Sequence, residues 1–248
     1  MAAFGSLARS AAPSISSATD ADATKPPRRN ERVLDRRGFL TTAAAAGAGA
    51  ALLRPSSALA ISGVRTFALF RGDEEIGTHT ISANETAEGL AVDIGINIEV
   101  RRLGIRFYVY EHTNKELWRD GKLMRLTSTT NNDGKDRFAR VERQGDTLKI
   151  EGTLYTGDAP GDAAPTSYWN YNNLSTRPWF SSEAGNILDL SLTKSQAGAF
   201  ERWTVAGEVN LTLDYDAQRE WRSCSFDGNG VPIVYRETSP GPALLPLV

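Results

Sequence analysis

From Leu90 to Arg101, apolar and polar residues alternate without a break. Leu90, Val92, Ile94, Ile96, Ile98 and Val100 fall on one side; Ala91, Asp93, Gly95, Asn97, Glu99 and Arg101 fall on the other. A period of two belongs to an extended chain with one buried face, because successive side chains of a strand point to opposite sides. The same period returns at Leu188, Leu190 and Leu192, and again through Val205, Gly207, Val209, Leu211, Leu213 and Tyr215. Between the runs stand Glu88-Gly89, Asp120-Gly121, Asp133-Gly134, Gln144-Gly145-Asp146 and Asp227-Gly228-Asn229-Gly230, residue types that accept tight-turn backbone. After position 60, no stretch of about 12 residues or more spaces its apolar side chains as a capped helix does. The pattern predicts an all-β domain: an antiparallel meander of roughly ten strands, rolled into a barrel, half-barrel or sandwich to hide its apolar face.

Two places depart from the alternation. Arg106 to His112 is apolar or aromatic on both faces, with Phe107 and Val109 on one and Tyr108, Tyr110 and His112 on the other. A strand covered on both sides has that composition; the cover is either a packed loop or sheet, or a ligand lying against one face. The second departure runs from Thr156 to Gly185. A segment this long with little periodicity acts as a lid, a plug or a binding loop in a compact domain. Its Tyr168, Trp169, Tyr171, Trp179 and Phe180 would form a sticky patch if left in water, so the loop is expected to fold back over an open end of the β structure.

The region before position 61 has a different character. Arg36-Arg37-Gly38-Phe39-Leu40 precedes a soft run of Ala and Gly, a polar break at Arg54-Pro55-Ser56-Ser57, and Ala58-Leu59-Ala60. The run is too short and too poor in large apolar residues for a membrane span of about 20 residues. A basic segment, a weak apolar segment and a small-x-small site together form an export signal. The arginine pair resembles the twin-arginine motif, with Asp35 and Thr41 at the flanking places. Residues 1–60 are therefore expected to be a removable twin-arginine signal, with residues 35–41 read by the twin-arginine translocase. Residues 61–248 are then a single domain in a bacterial periplasm; the Ser- and Ala-rich first 19 residues keep a thylakoid lumen as the alternative. Because twin-arginine export carries folded cargo, this signal argues against a transmembrane barrel, and no integral membrane segment is expected after cleavage.

Charge and chemistry then narrow the function. Of the chain's 28 basic and 30 acidic residues, 8 and 4 lie in residues 1–60, leaving 20 and 26, a net charge of −6. An acidic domain is a poor partner for nucleic acid or anionic lipid. Cys224 stands alone, so no internal disulfide forms, and a small buried hydrophobe is its ordinary role. His79 and His112 are the two histidines, too few for a zinc site unless strand pairing sets them side by side with an acid. No Gly-x-Ser-x-Gly elbow, phosphate loop, dinucleotide fingerprint or haem motif is present, so neither a cofactor nor a set of catalytic residues is assigned. A hydrolase would have to use His112 with Glu111 or Glu116, and on a strand Glu111 points away from His112.

Gly77-Thr78-His79, Tyr110-Glu111-His112, Glu116-x-Trp118-Arg119-Asp120-Gly121 and Thr166-x-Tyr168-Trp169-Asn170 together resemble a family of uncharacterised exported bacterial β-proteins. The likeness runs from about Val64 to Arg236. It implies an exported all-β domain of unknown function and carries no activity with it. The residues themselves favour a binding role: a small amphiphilic or lipid-like ligand in a β cavity, walled by Tyr108, Tyr110, Trp118, Tyr168 and Trp169, with His112 and Asn170 as polar tips. His112 in such a wall would titrate near neutrality. A periplasmic hydrolase and a purely structural envelope module are the competing readings.

Overall fold

The computed structural model describes residues 62–239; the expected export signal lies outside them. Eight strands follow one another through tight turns: β1 (Ser62–Arg71), β2 (Glu74–Thr86), β3 (Gly89–Arg102), β4 (Ile105–Arg119), β5 (Lys122–Asn132), β6 (Lys135–Gln144), β7 (Thr147–Gly152) and β8 (Thr156–Pro160). Three two-residue strands come next, β9 (Ala164–Pro165), β10 (Trp179–Phe180) and β11 (Ile187–Leu188). A final meander follows of β12 (Leu190–Ala197), β13 (Phe200–Gly207), β14 (Leu211–Tyr215), β15 (Trp221–Asp227) and β16 (Pro232–Ser239).

Thirteen of these form one sheet in the order β12-β13-β14-β15-β16-β1-β2-β3-β4-β5-β6-β7-β8. The two meanders are joined where β16 pairs antiparallel with β1. The sheet curls without closing, so the architecture is barrel-like, with β8 and β12 as its edges. Its concave side carries the expected apolar rows. In β3, Leu90, Val92, Ile94, Ile96, Ile98 and Val100 are buried, while Asp93, Asn97 and Arg101 face solvent.

The strand number exceeds the ten expected from sequence, for local reasons. The alternation from Val205 to Tyr215 is not one strand but a hairpin, with Val205 opposite Leu211. Gly207 turns at φ 133°, and the Asn210 side chain bonds the backbone N–H and C=O of Gly207 at 3.3 and 2.9 Å. Leu188 and Leu190 likewise sit on either side of a break, in β11 and β12. Period two continues across such turns because the intervening residues preserve the parity of the count. A further turn, Leu103-Gly104, has an apolar residue where turn chemistry asks for Asn or Asp.

The segment linking the two sheet edges, residues 161–189, fills the concave side. It contains β9–β10–β11 as a small sheet and a 3-10 turn, Tyr171–Ser175, capped by the Asn170 side chain, which accepts from the Asn172 N–H at 3.1 Å. Tyr168, Trp169, Trp179 and Phe180 are buried in a single core with the sheet residues, while Tyr171 is half-buried. Thr156–Pro160 still belongs to the large sheet, pairing with β7, so the part outside the large sheet begins after Pro160. The segment reaches strands of both meanders. The Ser128 hydroxyl of β5 donates to the Ser182 carbonyl at 2.5 Å, and the Tyr215 hydroxyl of β14 donates to the Tyr168 carbonyl at 2.8 Å. It is a plug held from both sides. No helix among the described residues is long and apolar enough to cross a membrane.

Candidate functional site

Strand β4 carries an unusual inward face. Tyr108, Tyr110, His112, Asn114, Glu116 and Trp118 alternate with the exposed Glu111, Thr113 and Lys115, so the polar residues point into the core. This is tolerable only if each finds partners there. Phe107, expected to lie under a cover, is instead exposed, so the strand is not packed on both sides at that end.

At the deep end of the column, Glu116 accepts three N–H bonds. Asn114 Nδ2 donates to Oε1 at 2.8 Å, and the Trp118 and Trp169 indoles both donate to Oε2, at 2.8 and 3.0 Å. The two indoles meet edge to face at 5.6 Å. The Ser167 hydroxyl approaches the same carboxylate but misses hydrogen-bond geometry. Burial raises the Glu116 carboxyl above its ordinary range, and the N–H donors pull it partly back. Trp118 and Trp169, joined by this acid, therefore clamp the plug to the wall.

In the middle, antiparallel register sets His79, Ile96, His112 and Thr130 side by side across β2 to β5. The His112 Nδ1 lies 2.8 Å from the Thr130 hydroxyl. His79 packs against the rings of Trp221, Tyr235 and Phe67 at 5.3 to 6.1 Å, and neither of its ring nitrogens has a partner among the described residues. Burial lowers both histidines to a pKa of about 3, and His112 adds to the effect at His79. The expectation that His112 titrates near neutrality is thus corrected: desolvation keeps the ring uncharged. The register does bring the histidines into one row, but no three His, Cys, Asp or Glu side chains among the described residues are grouped to hold a metal. Cys224 is buried, and burial pushes its thiol up, away from a nucleophilic thiolate.

At the rim, the Tyr108 hydroxyl donates to Asn132 Oδ1 at 2.9 Å. Asn132 Nδ2 stands 3.5 Å from Glu183 Oε1, which also takes Arg137 Nη1 at 2.9 Å. Glu183 comes from the plug and is fully buried; its Oε2 and the Tyr110 hydroxyl have no partner among the described residues. Burial raises the Tyr110 phenol, and Glu183 raises it further. Above this chain opens a cavity of about 270 Å³, walled by Val100, Phe107, Tyr108 and Ile233, with Arg71, Arg102 and Asp133 around it.

The seven residues singled out in the sequence thus separate. Tyr108 lines the rim cavity. Trp118 borders a depression of about 370 Å³ at the other end, where Arg143 ties down the Leu123 and Gly161 carbonyls at 2.7 and 2.5 Å. Tyr110, His112, Tyr168, Trp169 and Asn170 are buried between the two, and Asn170 serves as the cap described above. Arg71, Arg102 and Glu183 escaped sequence reasoning. The available signal for Arg102 was the apolar turn beside it; Arg71 and Glu183 gave none, being single charges brought in from turn and plug.

Comparison with curated proteins gives no match. Among solved structures, the chain is similar to a β-barrel-like protein of a domain of unknown function, DUF1849, from Brucella abortus. That likeness has a TM-score of 0.53 and 12% identity, covering 72% of this chain and 96% of the other. At that identity the fold alone is shared, and both folds are β-barrel-like. By the match of residues 67–238 to its family model, the chain belongs to the family DUF6134, a domain of unknown function.

Proposed function

We propose that this domain is exported to the periplasm by the twin-arginine translocase and there holds a small amphiphile with an anionic head in the rim cavity beside Tyr108. One observation carries the binding reading: apolar and aromatic walls from Val100, Phe107, Tyr108 and Ile233 stand next to the guanidinium groups of Arg71 and Arg102. Apolar walls with a few fixed polar groups are the usual make-up of a small-molecule site, and guanidinium forks favour carboxylate or phosphate. The volume of about 270 Å³ falls just under the usual range of about 300 to 1,000 Å³, which suits a short chain rather than a whole lipid. Tyr110, His112, Trp118, Tyr168, Trp169 and Asn170 act behind the wall as scaffold. A hydrolase built on His112 gains no support from a ring that is buried and bonded to Thr130.

Titration calorimetry with octanoate to dodecanoate tests the reading. Saturable binding is expected, weakened about tenfold by Arg71→Gln with Arg102→Gln, the loss of one charge-assisted contact. Absence of saturable binding along the whole series overturns it, as does native mass spectrometry that finds the host-purified protein bare. A second reading, a structural envelope module, is favoured by the filled interior, in which Trp169, Trp179, Trp221 and Tyr235 are buried; a bare protein would leave that one standing.

A further inference from the structure

The hairpin of β3 and β4 leaves its neighbours before it turns. β2 pairs with β3 as far as Gly77 opposite Ile98, and β5 pairs with β4 as far as Asn132 opposite Tyr110. Beyond these, the ladder partners of Val100, Arg101 and Arg102 are Tyr108, Arg106 and Ile105, a two-stranded ribbon that runs past the ends of β2 and β5. Its tip holds Leu103, Ile105 and Phe107, exposed by 102, 72 and 67%, three of the six exposed large hydrophobics among the described residues. Arg101 and Arg102 precede them, and Arg106 stands between Ile105 and Phe107. Arg101 and Arg106 share Glu99, and Arg102 lies over the Phe107 ring at 5.6 Å, so three guanidiniums against one carboxylate leave the ribbon cationic.

The turn itself is costly. Leu103 and Gly104 have φ of 51° and 77°, the left-handed pair of a type I′ turn. The turns at Asp120-Gly121, Asp133-Gly134 and Asn229-Gly230 have the same signs and use the residues that such backbone prefers. Leucine is disfavoured there, and no described residue covers its side chain. A strained, uncovered apolar residue at a turn points to a role outside the fold.

We propose that the Arg101–Phe107 hairpin tip docks on a phospholipid bilayer, its Leu103 and Ile105 entering the acyl boundary while Arg101 and Arg106 bind headgroup phosphates. Three side chains on a narrow ribbon fall short of the roughly 800 Å² per partner of a stable protein interface. They match an interfacial anchor, in which apolar side chains reach about 5 to 10 Å into the headgroup and acyl boundary and arginines meet anionic lipid. The adjacent turn bears Asp73, Glu74 and Glu75, so the rim as a whole is not basic; the attraction belongs to one ribbon. The net charge of −6 averages this away.

Vesicle flotation with the chain from residue 61 to 248 tests the proposal. Binding to vesicles of phosphatidylglycerol mixed into phosphatidylcholine is expected, and weaker binding to phosphatidylcholine alone. Leu103→Asn with Ile105→Thr, neither of which lines the rim cavity, is expected to cut partitioning at least tenfold. Its melting temperature should be equal or higher, because Asn-Gly suits the turn. Arg101→Gln with Arg106→Gln is expected to remove the preference for anionic vesicles. Failure to float on either vesicle overturns the proposal, as does a Leu103/Ile105 variant that floats like the parent. A concentration-dependent dimer that this variant abolishes, with no flotation, would overturn it in favour of self-association.

Discussion

Glu116 shows how a charged residue type is made to serve as core. It accepts from Asn114, Trp118 and Trp169, and no cation is paired with it among the described ion pairs. Glu116→Gln keeps an oxygen for the two indoles, and a flip of Asn114, whose own Oδ1 is unpartnered, lets it accept from the new amide. The substitution is expected to change stability by less than about 1 kcal/mol. Glu116→Ala strands three buried donors and is expected to cost about 3 kcal/mol or more; denaturant melts of the two variants check the difference. Trp169 was visible in the sequence as an aromatic residue needing cover, and Trp118 as a candidate cavity wall. Their common partner was not, because the alternation marks Glu116 as inward without saying which atoms from 53 positions later will meet it.

Strands were legible where one face met water and the other met the core, as in β3. They were miscounted where a hairpin preserved parity, as at Gly207. The plug was legible as a segment with too many aromatic residues to stay outside. Its depth was not, since that depends on where the sheet runs out of strands. One contact makes the plug's seating testable. A Cβ on Gly152, at the end of β7, would fall 2.4 Å from the Ala184 carbonyl oxygen, the same oxygen that accepts the Leu154 N–H at 3.0 Å. Gly152→Ala is expected to destabilise by about 3 kcal/mol and to quicken proteolysis within residues 161–189 before the sheet is cut. Equal protease resistance in parent and variant would mean that the plug tolerates displacement.

At the scale of the molecule, the two buried histidines link stability to pH. Their folded pKa values near 3 lie below the ordinary value of about 6.5, so the unfolded chain takes up these protons first. Their contribution is therefore complete above about pH 7 and is lost as pH falls through 6.5 toward 3. Two protons set a limiting slope of about 2.7 kcal/mol per pH unit; Glu116, whose folded pKa is raised, offsets part of it just above its ordinary value. His79→Phe, among Phe67, Trp221 and Tyr235, removes two unpartnered nitrogens and one titrating group. Urea melts between pH 7 and 4.5 are expected to show a slope halved by this variant, with neutral-pH stability equal or raised by about 1 kcal/mol. An unchanged slope would place the protons elsewhere.

The pairing of β1 with β16 joins Thr66 to Ser239 and Arg71 to Ile233, partners separated by nearly the whole described chain. During synthesis β1 emerges early and must wait, one edge unpaired, until the last strand leaves the ribosome. Such distant pairing is slow to form, and an open edge invites association. The order of synthesis therefore makes β16 the joining strand: a chain broken off before Pro232 leaves β1 and β15 each with an exposed edge.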